Sequence, residues 1–197
     1  SGCQGNPDDT VELEPVVPWH SDTEYPLSSL PEGSETCNGA NSGQGPANQY
    51  GRDCWVQDSD WNSLWIPQTK LSGHVAIQVD TYVPAGSTAE FGLFRGKLAC
   101  NQARVGLGIR LGEPVEGSDA PAVSFFYYPG DDSDQVIIPM DPTTFAYDTW
   151  QKVRIQAHVD SAEVTVFIEG DEIGHFAVDP GVFTGDSIKF NANGTVP

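Results

Sequence analysis

Positive charge is scarce in this chain: nine Lys and Arg stand against 28 Asp and Glu, for a formal net charge of -19. Phosphate backbones are held by clustered cations, so the balance argues against nucleic acid as a partner and against an anionic membrane surface. No apolar run approaches the roughly 20 residues needed to span a bilayer. Methionine occurs once, and the patterns of long helices are missing. No Cys-x-x-Cys or Cys/His spacing points to zinc, and no Gly-x-Ser-x-Gly elbow points to a serine hydrolase. What is plentiful is Gly, at 21, and Pro, at 15, which favours frequent turns and an all-β fold. The acidity suits an extracytoplasmic protein, or a surface that attracts Ca2+.

Four cysteines fit an oxidising compartment. Cys37 and Cys54 bracket a segment rich in Gly, Asn, Ser and Gln, and a disulfide between them is the first expectation. It would contribute about 3 kcal/mol if unstrained. Cys3 has two readings. It pairs with Cys100, or the "SGC" at its position is the end of a bacterial lipobox and Cys3 carries a lipid anchor at the cell surface. The polar run "QGNPDDTVELEP" behind it reads as a tether. Residues 1–18 are therefore expected to be an extended acidic tail, with one domain over 19–197 and a long loop at about 26–54. The alternating "VELEPVV" in the tail is a candidate strand for a neighbouring subunit's sheet.

From Trp55 onward short alternating segments follow one another. "HVAIQVDTYV" places Val75, Ile77, Val79, Thr81 and Val83 on one face, and "ARVGLGIRLG" sets Val105, Leu107, Ile109 and Leu111 inward with Arg104 and Arg110 outward. "VSFFYY" is apolar on both faces, which predicts cover on both sides. In "WQKVRIQAHVDSAEVTVFIEG", Gln151, Val153, Ile155, Ala157 and Val159 alternate with Lys152, Arg154, Gln156 and His158. Strands at this spacing without helical interludes predict a two-sheet antiparallel β-sandwich.

"TWQKVRIQAHVDSAEVTVFIEGDEIG" resembles a hairpin of the concanavalin A-like lectin/glucanase superfamily, especially its laminin G-like domains, and "HVAIQVDTYVP" resembles the long strand before it. The resemblance covers about residues 55–197 and implies a jelly roll. The superfamily holds sugar binders, adhesion modules and glucanases. Its laminarinase-like glucanases set carboxylates two apart on one strand, where one serves as nucleophile and the other as acid/base. The nearest match here, "EGDEIG", has Ile173 and Gly174 where the last carboxylate should stand, and Gly170-Asp171 reads as a hairpin turn. No catalytic residue is assigned. Laminin G-like domains also hold Ca2+ at a loop rim. That adds to what the residues offer: "GDDSD" crowds the hard oxygens of Asp131, Asp132 and Asp134 into one turn as candidate Ca2+ ligands, the alternative being a solvated acidic turn, with Asp58 and Asp60 a poorer second.

Two further groups are candidates for ligand binding. Trp61, in "DSDWNS", is the tryptophan expected to be exposed, and a flat aromatic face stacks on sugar rings. Lys152, Arg154 and His158 share one strand face, and Arg104 and Arg110 share another. Were those strands neighbours, they would form a cationic patch for an acidic sugar or a partner's carboxylates. The simpler expectation is cross-strand pairing with Glu163 and Glu169. The expected function is non-catalytic recognition or adhesion outside the cytoplasm, with glycan the favoured ligand and a surface protein the other. The rival is a self-associating subunit of a surface layer or filament, and a glycan-degrading enzyme stands third.

Overall fold

A computed structural model describes residues 35–37, 41–44, 55–58, 60–67, 72–94, 105–112, 122–129, 135–184, 187–193 and 196. The strands are Glu35–Cys37 (β1), Asn41–Gln44 (β2), Trp55–Asp58 (β3), Asp60–Pro67 (β4), His74–Tyr82 (β5), Thr88–Phe94 (β6) and Gly106–Gly112 (β7). Val123–Tyr128 (β8), Val136–Pro139 (β9), Trp150–His158 (β10), Glu163–Ile168 (β11), Asp171–Ala177 (β12) and Ser187–Asn193 (β13) complete them. The only helical element among the described residues is a 3-10 turn at Pro180–Thr184. All pairings are antiparallel. A seven-stranded sheet runs β1-β4-β13-β6-β7-β8-β9, a four-stranded sheet runs β12-β11-β10-β5, and β2 pairs β3 separately. The expected all-β sandwich is what forms.

The inward residues of the two larger sheets make one core. Leu107, Ile109 and Leu111 meet Val153, Ile155, Val164, Val166 and Ile168, all essentially without solvent exposure. Phe125 of β8 stacks on Phe176 of β12, with ring centroids 4.8 Å apart and planes within 4°, so an aromatic pair pins one sheet to the other. Val182 and Phe183 of the 3-10 turn enter the same core. The 3-10 turn begins with the Gly181 N–H donating to Asp179 Oδ1 at 2.8 Å.

The β11–β12 hairpin turns one residue earlier than the sequence pattern predicts. Ile168 faces Asp171 in register, and the two turn residues are Glu169 and Gly170, with φ of 50° and 83°. Positive φ at both positions is the type I′ geometry that matches strand twist. At the first of them the Glu169 carboxylate accepts a hydrogen bond from the Lys152 N–H, which ties the turn to β10.

Gln151, placed on the apolar face by its spacing, is buried there for a polar reason. Its Oε1 accepts from the Ala146 N–H at 2.9 Å, and its Nε2 donates to the Thr144 carbonyl at 2.8 Å. The side chain ties the 140s loop to β10. Gln151→Ala is expected to cost about 1–3 kcal/mol, since two backbone groups lose a partner. Equilibrium urea denaturation measures it.

Candidate functional site

The seven-stranded sheet has a second face, turned away from the core, and strand register arranges its residues in rows. Asn191, Glu90, Arg110 and Ser124 lie opposite one another across β13, β6, β7 and β8. Lys189, Gly92, Gly108 and Phe126 form the next row, and Phe94, Gly106 and Tyr128 belong to the one after. The face therefore grades from polar to aromatic across three successive rows.

The polar row is tightly connected. Arg110 Nε donates to Glu90 Oε1 in an ion pair whose members are 8% and 9% exposed. Asn191 Nδ2 donates to Glu90 Oε2 at 3.2 Å. Ser124, fully buried, has an Oγ without a hydrogen-bond partner among the described residues. Beside the row, the Arg110 guanidinium lies 5.7 Å from the Phe126 ring centroid, and Lys189 Nζ lies 5.4 Å from that of Phe94. Phe94 and Phe126 are 6.1 Å apart, and Tyr128 packs edge-on to Phe126. Burial pushes the Lys189 ammonium below its ordinary pKa, and Glu90 pulls it back up. Tyr128, Lys189 and Asn191 remain half-buried. Charge, hydrogen-bonding groups and aromatic rings meet on one side of the sheet, with Phe94 and Phe126 themselves buried and Tyr128 half-buried.

Glycine makes this face smooth. A Cβ on Gly92 would stand 2.0 Å from the Leu107 carbonyl oxygen, and one on Gly108 would stand 2.8 Å from Cζ of Phe126. Phe126 thus folds over Gly108, in space that any side chain there would occupy.

The cations expected to act together are divided between sheets. Arg110 is on β7 of the large sheet, whereas Lys152, Arg154 and His158 are on β10 of the small one. The condition for a joint patch is not met, and Arg110 is buried against Glu90 rather than presented to solvent. The expected pairing of the β10 cations with Glu163 and Glu169 also takes a different form. Arg154 lies over Phe167, 4.3 Å from its centroid. Lys152 faces Asp80 in register, and it is its backbone N–H that meets Glu169. His158 faces Glu163 on one side and His74 on the other. Glu163 accepts from His175 Nε2 at 3.2 Å. The Ser161 hydroxyl and the His175 ring hold its carboxyl below the usual range.

Cys37 closes β1 opposite Ser63, and Trp61 is the extra residue at a bulge of β4 beside Ala192 and Asn193 of β13. Cys3, Cys54, Cys100, Arg104, Asp131, Asp132, Asp134 and the 1–18 tail lie outside the described residues. Among the described residues, no three His, Cys, Asp or Glu side chains converge on a metal-sized point. The "EGDEIG" carboxylates Glu169, Asp171 and Glu172 are exposed around the hairpin turn.

Sequence reasoning missed Glu90, Ser124, Lys189 and Asn191. The available signal was a lone Glu in "AEFGLF" and a lone Arg in "GLGIRLG", opposite charges each isolated in an apolar strand.

No protein-family model matches the sequence, and no curated protein matches it. Solved structures do match in shape. The carbohydrate binding module CBM66 from Bacillus subtilis is 14% identical, with a TM-score of 0.54 over 83% of this chain and 90% of that one. The carbohydrate recognition domain of Emp46p in its potassium-bound form is 12% identical, with a TM-score of 0.53 over 83% and 84%. A Bacillus licheniformis beta-glucanase is 14% identical, with a TM-score of 0.51 over 87% and 84%. At these identities the likeness is one of fold alone: this chain shares the two-sheet antiparallel β-sandwich of these structures.

Proposed function

We propose that this chain is a non-catalytic, extracytoplasmic recognition module that binds glycan on the outer face of its seven-stranded sheet. The observation that carries the reading is the Asn191–Glu90–Arg110–Ser124 row lying beside Phe94, Phe126 and Tyr128. Sugars present hydroxyls at their edges and apolar C–H faces, so hydrogen-bonding groups next to aromatic rings are the chemistry that recognises them. Half-buried Tyr128 and Asn191 are the contact residues in this proposal, and the buried Glu90–Arg110 pair positions Asn191. Two of the solved structures of like fold are described by name as carbohydrate-binding, which supports the same class.

A glycan array is the test. The protein is expected to retain at least one glycan family, and Tyr128→Ala or Asn191→Ala to weaken it about tenfold, with each variant shown by circular dichroism to remain folded. Absence of any glycan signal, or a signal that follows Lys152 and Arg154 instead, overturns the assignment to this face. Running the array in Ca2+ and in chelator also tests Asp131, Asp132 and Asp134 as Ca2+ ligands.

A further inference from the structure

Three of the chain's four histidines, His74, His158 and His175, stand on the outer face of the four-stranded sheet, away from the face assigned to glycan. His74 of β5 and His158 of β10 are direct cross-strand partners. Just beyond them the Val159 N–H donates to the Gly73 carbonyl at 2.9 Å, which makes the histidine pair a non-hydrogen-bonded one. Such pairs have the closer Cα approach, about 4.5 Å, and the closer side chains. Their rings are accordingly 4.2 Å apart, tilted by 51°. His74 is exposed and His158 half-buried, so the pair opens to solvent.

We infer that His74 and His158 form a two-imidazole clamp for a divalent transition ion, with Cu2+ the tightest and Ni2+ and Zn2+ weaker. This goes beyond the glycan reading and does not rest on it. Two nitrogens bound to one ion, each at about 2.0–2.1 Å, stand roughly 3 Å apart, a spacing that adjacent tilted rings reach by rotating their side chains. Imidazole suits these ions and their affinity order follows from ligand chemistry, whereas Ca2+ and Mg2+ seek oxygen. The neighbouring charge is favourable. Glu163 of β11 faces His158 in register, and Asp160 lies in the turn that follows. Glu163 is engaged by His175 of β12, whose Nδ1 meets the Thr165 hydroxyl at 2.9 Å. It therefore adds field rather than a third ligand. Water completes the coordination. Among the described residues the four-stranded sheet ends at β5, which pairs β10, so a bound ion staples that strand to its neighbour.

The test uses the full chain without any affinity tag, titrated calorimetrically with Cu2+, Ni2+ and Zn2+ at about pH 7.5 and again at about pH 5, where protons compete with metal for ligand nitrogen. One ion is expected to bind at the higher pH, with Cu2+ tightest, and binding should fall away at the lower one. His74→Gln and His158→Gln should each weaken it at least about tenfold, the loss of one of two ligands, and His175→Gln should leave it unchanged. Saturating Zn2+ should raise the melting temperature of the parent chain but not of either variant. The inference is overturned if the His74→Gln/His158→Gln double variant binds as tightly as the parent, if His175→Gln abolishes binding, or if no ion binds.

Discussion

Replacing Arg110 with methionine is expected to destabilise the protein by about 3–5 kcal/mol. Two charges at 8% and 9% exposure are tolerable because each answers the other. Arg110→Met leaves the Glu90 carboxylate in the same dry surroundings, with the Asn191 amide still donating to it and the Lys189 ammonium as the remaining nearby cation. That cost is chiefly the burial of an uncompensated charge, so it should shrink when both charges go. Glu90→Leu combined with Arg110→Met is expected to recover most of the lost stability, because apolar residues of similar volume often replace a buried pair without loss. Urea denaturation of the two single variants and the double variant closes the cycle. A cost under about 1 kcal/mol for Arg110→Met would put the pair in the class of exposed salt bridges.

Gly92→Ala is expected to be comparably damaging, with a cost of about 3 kcal/mol or outright failure to fold. The added carbon would meet backbone, the Leu107 carbonyl oxygen at 2.0 Å and the Gly108 Cα at 2.6 Å. Side chains rotate away from a clash, but backbone in the middle of a sheet does not, so β6 and β7 would have to separate. Gly170→Ala provides the comparison. Nothing lies within 4 Å of its Cβ position, and only its φ of 83° opposes the change. The expected cost there is about 1–2 kcal/mol, that of left-handed backbone alone. Thermal and urea melts of both variants separate steric from conformational cost, and similar values would mean that the sheet opens easily at Gly92.

The scaffold was legible because period-two alternation and burial are the same fact written twice. Val153, Ile155 and Ala157 alternate with Lys152, Arg154 and Gln156 in the sequence, and the first set lines the core. Leu107, Ile109 and Leu111 do likewise. Phe126 illustrates a harder case: "FFYY" announced cover on both faces, and the second face proved to be an aromatic cluster with Phe94. What periodicity leaves open is which strands are neighbours. Arg110 and Arg154 look alike in sequence, yet one is locked into a carboxylate and the other lies on a phenyl ring in a different sheet. Asn191 and Glu90 meet across a separation of 101 residues, and His74 and His158 also meet from strands far apart in sequence. Sites built from cross-strand rows exist only once register is set, so no local window contains them.

The position of β13 between β4 and β6 also governs how the protein comes into being. While residues 187–193 are missing, β4 and β6 have no bond to each other, and each offers a row of unanswered amide groups to whatever strand arrives first. The small sheet is different, since β10, β11 and β12 are successive hairpins that can zip locally. A nascent chain would therefore hold a nearly finished half beside an open one, with its slowest step the insertion of a distant strand into a waiting gap. That interval is the one in which aggregation competes with folding, and a chaperone that shields strand edges would act there.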